Sequence, residues 1–282
     1  MKPDPKFHGR YVEGAGGTQL FVEEIGDPSR PSIVWIHGYC QCRLSWDRQF
    51  ESGLASQFHM VRLDLRGHGL SDRLTDPAAF QEGQTWADDI HAVITALDLH
   101  RPVLAGWSYG GFIICDYVRH YGQDHLGGII FVAAATEIGR DEANQLLGGD
   151  FLSLVPGFFS HDYAEGAVAL ERFMGMATYE ELDSHTLYFF LGFNASTLPA
   201  SRQGMFTRQL ENAAVMESFT VPVLITQGKE DRIVLPAAAD FISSHVAHAK
   251  RIDYDRCGHA PFAEVADQFN RDVAAFMGTI QG

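Results

Sequence analysis

The apolar positions of this chain follow two alternating rhythms. Short runs with little polar alternation recur at Ser32–Ile36, His59–Leu63, residues 102–105, Gly128–Val132 and residues 221–225. Runs of this kind suit strands covered on both faces, and hence a parallel sheet. Residues 21–24 (Phe-Val-Glu-Glu) are more mixed and are assigned to an antiparallel edge. Between the runs, residues 85–97 place Trp86, Ile90, Val93, Ile94 and Leu97 at helical spacing, and residues 264–277 do likewise. Strand and helix in alternation predict an α/β protein with a doubly wound, mostly parallel sheet flanked by helices.

One stretch breaks the rhythm. Residues 137–217 contain no strand-like run and are rich in Phe, Met, Leu and Tyr. A structureless loop of about 80 residues is disfavoured in a compact domain, so the stretch reads as a helical cap lying over the sheet. The expected division is a core of residues 1–136 and 218–282 with a cap of residues 137–217.

The chemistry is concentrated at strand ends. Gly106-Trp107-Ser108-Tyr109-Gly110, followed by Gly111, comes directly after an apolar run and opens the helix-like residues 112–120. A serine flanked by glycines at a strand-to-helix junction is a nucleophile elbow, because only small residues fit two positions either side of so sharp a turn. The turn lifts the hydroxyl clear of the sheet, over a helix N-terminus that favours developing negative charge. A serine needs a base and an orienting acid, usually in the chain order Ser, Asp or Glu, His. Downstream, Gln227-Gly228-Lys229-Glu230-Asp231 follows a strand, and Asp231 is preferred over Glu230 and Asp255 as the acid because an apolar Ile-Val pair follows it. Cys257-Gly258-His259-Ala260-Pro261 places His259 on a constrained loop after the last strand-like run, as the candidate base. Backbone N–H groups of Tyr109 and Tyr39, the latter on the His37-Gly38-Tyr39-Cys40 loop, are the candidate oxyanion donors.

Composition narrows the partners. The chain carries 36 acidic against 21 Lys and Arg residues, a net charge of −15 over 282 residues. Such a surface repels phosphate backbones and anionic membranes, so neither nucleic acid nor membrane is an expected partner. No apolar run approaches the roughly 20 residues needed to span a bilayer. Residues 1–6 show no secretory signal, and Cys40, Cys42, Cys115 and Cys257 have neither zinc nor disulfide-framework spacing. They read as free thiols in a cytoplasmic protein, with Cys257 a small core residue.

With His37-Gly38-Tyr39, Asp64-Leu65-Arg66-Gly67-His68-Gly69-Leu70-Ser71-Asp72, the elbow, Gly228 to Asp231 and Gly258-His259 in this order, the sequence resembles the α/β-hydrolase fold superfamily over nearly its whole length. The resemblance implies an eight-stranded sheet with a helical cap inserted after the sixth strand, and a structural role for residues 64–71, with Arg66 and His68 as scaffold. The elbow residue is Ser rather than the Asp of haloalkane dehalogenases and epoxide hydrolases. The branch resembled is that of small bacterial esterases, N-acyl-homoserine lactonases and cofactor-free haloperoxidases or perhydrolases.

The expected activity is therefore hydrolysis of carboxylic esters or lactones through an acyl-enzyme on Ser108, His259 and Asp231, with no cofactor and no metal. Perhydrolysis or C–C bond hydrolysis on the same triad is the alternative, followed by a cofactor-free ring-cleaving dioxygenase or a non-catalytic ligand sensor. The expected partner is a small-to-medium hydrophobic ester or lactone, and a homodimer is compatible with the chain. Most of the cap aromatics should pack the cap against the sheet; Tyr39, Trp107, Phe158, Phe159, Phe189 and Phe190 are the candidates for the substrate pocket.

Overall fold

The structure is a computed structural model that describes residues 8–280; residues 1–6, discussed above for a secretory signal, lie outside them. The strands are β1 (His8–Glu13), β2 (Gln19–Ile25), β3 (Ser32–Ile36), β4 (His59–Leu63), β5 (Val103–Trp107), β6 (Gly128–Val132), β7 (Val223–Gly228) and β8 (Lys250–Tyr254). They form one eight-stranded sheet in the order β1-β2-β4-β3-β5-β6-β7-β8. β1 and β2 are antiparallel to their neighbours, and every pairing from β4 to β8 is parallel.

The apolar runs are buried on both faces because successive side chains point to opposite sides of the sheet. Val34, Ile36 and Leu104 join one core, and Ile33, Trp35, Val103 and Ala105 join the other. The mixed strand β2 is antiparallel, as expected from its sequence, and belongs to the antiparallel edge pair, in which β1 is the outermost strand. Its polar residues are tolerated inside because they are paired: Glu23 meets Arg43 and Arg62 at 3.0 and 2.8 Å, and Glu24 meets Arg10 and His59.

The helices are α1 (Asp47–Phe50), α2 (Gly83–Ala96), α3 (Gly110–Tyr121), α4 (Asp141–Asn144), α5 (Gly149–Phe158), α6 (Tyr163–Gly175), α7 (Ser184–Ser196), α8 (Pro199–Phe206), α9 (Ala213–Glu217), α10 (Pro236–His245), α11 (Pro261–Glu264) and α12 (Ala266–Ile280). α4 to α9 all fall between β6 and β7, forming a helical insertion. The neck of the insertion is closed where Ile138 and Leu210 exchange backbone hydrogen bonds and Glu137 accepts from the Asn212 N–H at 2.7 Å. Inside it, Asp162 and Asp183 cap the N-termini of α6 and α7 by accepting from backbone N–H groups, and Pro199 sits in the first turn of α8.

Candidate active site

Because β3, β5, β7 and β8 run parallel, the loops after them emerge on one edge of the sheet, the edge where open α/β sheets bind ligands. Ser108 follows β5 directly and has a φ of +53°, a left-handed conformation that costs a non-glycine residue energy and marks a tightly determined site. Its backbone is held there: the Ser108 N–H donates to Val132 O, and its carbonyl accepts from Gly111 and Ala135 N–H. The flanking glycines are sterically required. A Cβ on Gly106 would stand 2.6 Å from Gly110 O, and one on Gly111 would stand 2.5 Å from Ala135 O.

Asp231 and His259 are brought together by their loops. His259 Nδ1–H donates to Asp231 Oδ2 at 2.7 Å, with both side chains buried. The other Asp231 oxygen accepts from Ile233 and Val234 N–H at 2.9 and 3.0 Å, and Gln227 Nε2 donates to Oδ2 at 3.0 Å. Four donors on one carboxylate fix its orientation. The competing acids lie elsewhere: Glu230 is exposed and Asp255 pairs with Lys229 at the surface. The two loops are zipped together where Lys229 and Glu230 N–H donate to Tyr254 O and Cys257 O. The residue before the elbow serine ties in the His259 loop, since Trp107 Nε1–H donates to His259 O at 2.8 Å.

The loop after β3 packs directly on the elbow. A Cβ on Gly38 would stand 3.1 Å from Ser108 Cβ and 3.2 Å from the Trp107 ring, so any larger residue there would have to push the elbow back. Among the described residues, neither the Tyr39 nor the Tyr109 backbone N–H donates to a backbone carbonyl. Behind this loop His37 is fully buried; its Nδ1–H donates to Gly38 O at 2.8 Å and its Nε2 accepts from Leu65 N–H at 3.1 Å. Burial lowers its pKa to about 4. His68 packs edge-on against it, its pKa lowered to about 3 by burial and by His37. Arg66 forms a bidentate pair with buried Asp89 at 2.7 Å. Both Arg66 and His68 therefore have structural surroundings.

The insertion meets every one of these loops. Ala177 O accepts from His259 N–H at 2.9 Å, Arg202 O from Tyr39 Oη at 3.0 Å, and Met205 O from Tyr109 Oη at 3.1 Å. A cleft of about 480 Å³ opens between the insertion and the core, lined in part by Gln41, Trp107, Met174, Phe189, Phe190 and Phe262. It borders the elbow and base loops through Trp107 and Ala260, the neighbours of Ser108 and His259. Ser108 itself is 9% exposed.

Of the pocket residues expected from sequence, Trp107, Phe189 and Phe190 line this cleft. Tyr39, Phe158 and Phe159 do not. Phe158 is wholly buried, with the rings of Tyr39, Phe151 and Phe173 5.3 to 6.0 Å away, and Phe159 packs on Phe206. The physical reason is that a small helical layer needs its own core, and these rings supply it. Met174, one of the apolar cap residues, also lines the cleft, and so does Gln41, which the sequence pattern did not mark as a site residue. A neutral amide on the loop four residues past His37 was the available signal.

The four cysteines are buried and unpaired, and burial pushes each thiol up, Cys40 to about 12. They are inert thiols rather than rival nucleophiles. Among the described residues, no group of three or more His, Cys, Asp or Glu side chains is placed to hold a metal, and no helix is long and apolar enough to cross a membrane.

With this geometry in view, comparison with known proteins places the chain. A family model described as the alpha/beta hydrolase fold matches residues 31–265, and the protein belongs to that family. It is 29% identical to the AB hydrolase superfamily protein YisY of Bacillus subtilis over 279 residues, covering 96% of this chain and all of that one. The crystal structure of the esterase RhEst1 from Rhodococcus sp. ECU1013 superimposes with a TM-score of 0.91 at 29% identity, covering 96% of this chain and 99% of the other. The bifunctional esterase/perhydrolase DCH of Acinetobacter calcoaceticus is 25% identical over 297 residues, covering 95% of this chain and 99% of that protein.

Proposed function

We propose that this protein is a serine hydrolase of carboxylic esters or lactones, neutral and apolar around the reacting carbonyl. The observation that carries the reading is the Asp231–His259 hydrogen bond of 2.7 Å on a loop tied through Trp107 to an elbow serine held at positive φ. Ser108 Oγ attacks the carbonyl carbon while His259 Nε2 takes its proton, and Asp231 fixes the tautomer and stabilises the imidazolium. The Tyr39 and Tyr109 N–H groups hold the tetrahedral oxyanion, each donor contributing about 3 kcal/mol by analogy with other hydrolases. His259 then protonates the leaving alcohol, and a water repeats the cycle on the acyl-enzyme. The helical insertion acts as a cap, and Trp107, Phe189 and Phe190 offer the apolar wall for the substrate body. The esterase names of RhEst1 and DCH support this reading. The buried free thiols suit a reducing, cytoplasmic setting.

A second reading, perhydrolysis, is favoured by the similarity to DCH. In it peroxide replaces water in attack on the same acyl-enzyme.

The test is initial rates on a chain-length series of p-nitrophenyl esters and a panel of lactones, with and without peroxide. Ser108→Ala is expected to lose at least about 10³-fold in kcat. Equal rates in the wild type and Ser108→Ala would remove the serine-hydrolase reading.

A further inference from the structure

Three buried polar side chains, Gln41, Ser45 and Thr178, contribute to the cleft wall. Thr178 is satisfied, since its hydroxyl donates to Glu180 O at 2.7 Å. Gln41 is not. It sits on the loop that packs against Ser108, its backbone pinned by donation to Gly38 O, and it is 2% exposed. Its side-chain nitrogen meets the Met174 sulfur at 3.5 Å, and its oxygen accepts from Ser45 Oγ at 3.4 Å. Amide and hydroxyl donors normally close to about 2.9 Å on oxygen, and a thioether is a weak acceptor. Both ends of this buried amide thus touch only other residues of the cleft wall, with hydrogen-bonding capacity unspent.

The Met174 sulfur also accepts from Asn194 Nδ2 at 3.1 Å, and the same Asn194 nitrogen donates to Phe190 O at 3.0 Å. Two amides converge on one sulfur, and of the two Gln41 lies in the cleft wall, which also presents the rings of Trp107, Phe189, Phe190 and Phe262.

We infer that Gln41 is a specificity-determining residue that donates a hydrogen bond to a second, neutral oxygen acceptor of the substrate. The substrate class is an apolar ester or lactone that carries a further carbonyl, of a ketone or an amide, in the part lying along the cleft. That oxygen outcompetes the Met174 sulfur for the same N–H. The inference rests on the ester-hydrolase reading for its reaction, but the recognition is separable from turnover.

The experiment compares ethyl octanoate with its 4-, 5- and 6-oxo analogues, and ethyl acetate homologues carrying the ketone in the alcohol part. Values of kcat/KM are measured for the wild type, Gln41→Leu and Gln41→Glu. Binding of the same esters to Ser108→Ala and to Ser108→Ala/Gln41→Leu is measured by calorimetry. One oxo position is expected to be preferred in the wild type, with the ratio to the unsubstituted ester falling about tenfold in Gln41→Leu. Gln41→Glu, near-isosteric but unable to donate when ionised, should lose the same preference, which guards against a packing artefact in the leucine variant. Discrimination in the calorimetry without turnover keeps Gln41 and overturns the hydrolase reading. Turnover with an oxo ratio unchanged by either variant overturns the role of Gln41.

Discussion

His37 donates through one ring nitrogen and accepts through the other, a pattern available only to the neutral imidazole. Its depressed pKa of about 4, and that of about 3 for His68, follow from burial that disfavours the charged form. An unfolded histidine titrates near 6.5. Below that pH the unfolded chain binds protons that the folded chain refuses, so stability is full above about 6.5 and falls as pH drops toward 4. Each imidazole contributes a slope approaching about 1.4 kcal/mol per pH unit in that window. Buried Asp89 and Asp116, whose pKa values burial raises, oppose this fall. The clean comparison is therefore His68→Asn, whose amide still donates to Arg66 O. Urea midpoints from pH 7.5 to 4.5 should fall less steeply in His68→Asn than in the wild type; parallel curves would contradict the assignment. The candidate residues Ser108, Asp231 and His259 were legible at this scale because glycines mark the backbone geometry around each. Gln41 was not, because its significance depends on where α6 delivers Met174.

At the scale of elements, one buried cation organises the insertion. Arg202 donates to Thr197 O at 3.0 and 2.8 Å and to Phe158 O at 2.9 Å. Phe158 is the last residue of α5 and Thr197 follows α7, so the guanidinium gathers the carbonyl ends of two helices, where a positive charge is favoured. Arg202→Met keeps the apolar stem and removes every donor. It is expected to destabilise the protein by about 3 kcal/mol and to speed proteolytic cleavage within residues 141–206; an unchanged cleavage rate would show the clasp to be idle. Of the elements themselves, the buried runs and amphipathic helices were readable because burial imposes a period on composition. β1 was not. Only Val12 of its six residues is buried, and backbone pairing with β2 rather than a hydrophobic pattern holds it in place. That β2 is covered by β1 was hidden for a related reason: Glu23 and Glu24 look solvated in sequence, and only distant Arg43, Arg62 and His59 make their burial affordable.

Over the whole molecule, a net charge of −15 meets a cleft whose lining includes Asp47, Glu180, Glu181, Asp183 and Glu264 against Arg48 and Arg256. The summed field opposes anionic substrates. An ester bearing a remote carboxylate should therefore show a lower kcat/KM than its neutral isostere at low salt. The gap should narrow between 0.01 and 0.1 M salt, as the screening length shrinks from about 30 to about 10 Å. A neutral ester should show no such dependence, and a salt-insensitive gap would point to sterics instead. The helical nature of residues 137–217 was legible at this scale. Which of their aromatics face the cleft was not, because the rings of α7 are spread around the helix and only its packing on α6 selects Phe189 and Phe190.

The contact between Gly228 and Gly258 bears on how such a protein can be recombined. A Cβ on Gly228 would stand 1.9 Å from Gly258 O and 2.4 Å from Cys257 O, so the loops bearing Asp231 and His259 share one backbone seam with no room for a side chain. Asp231 and His259 thus sit on a single cassette running from β7 to α11, while Ser108 sits on a separate one. Chimeras that exchange residues 223–264 as a block between relatives should preserve the pair, and crossovers between Gly228 and Gly258 should break it.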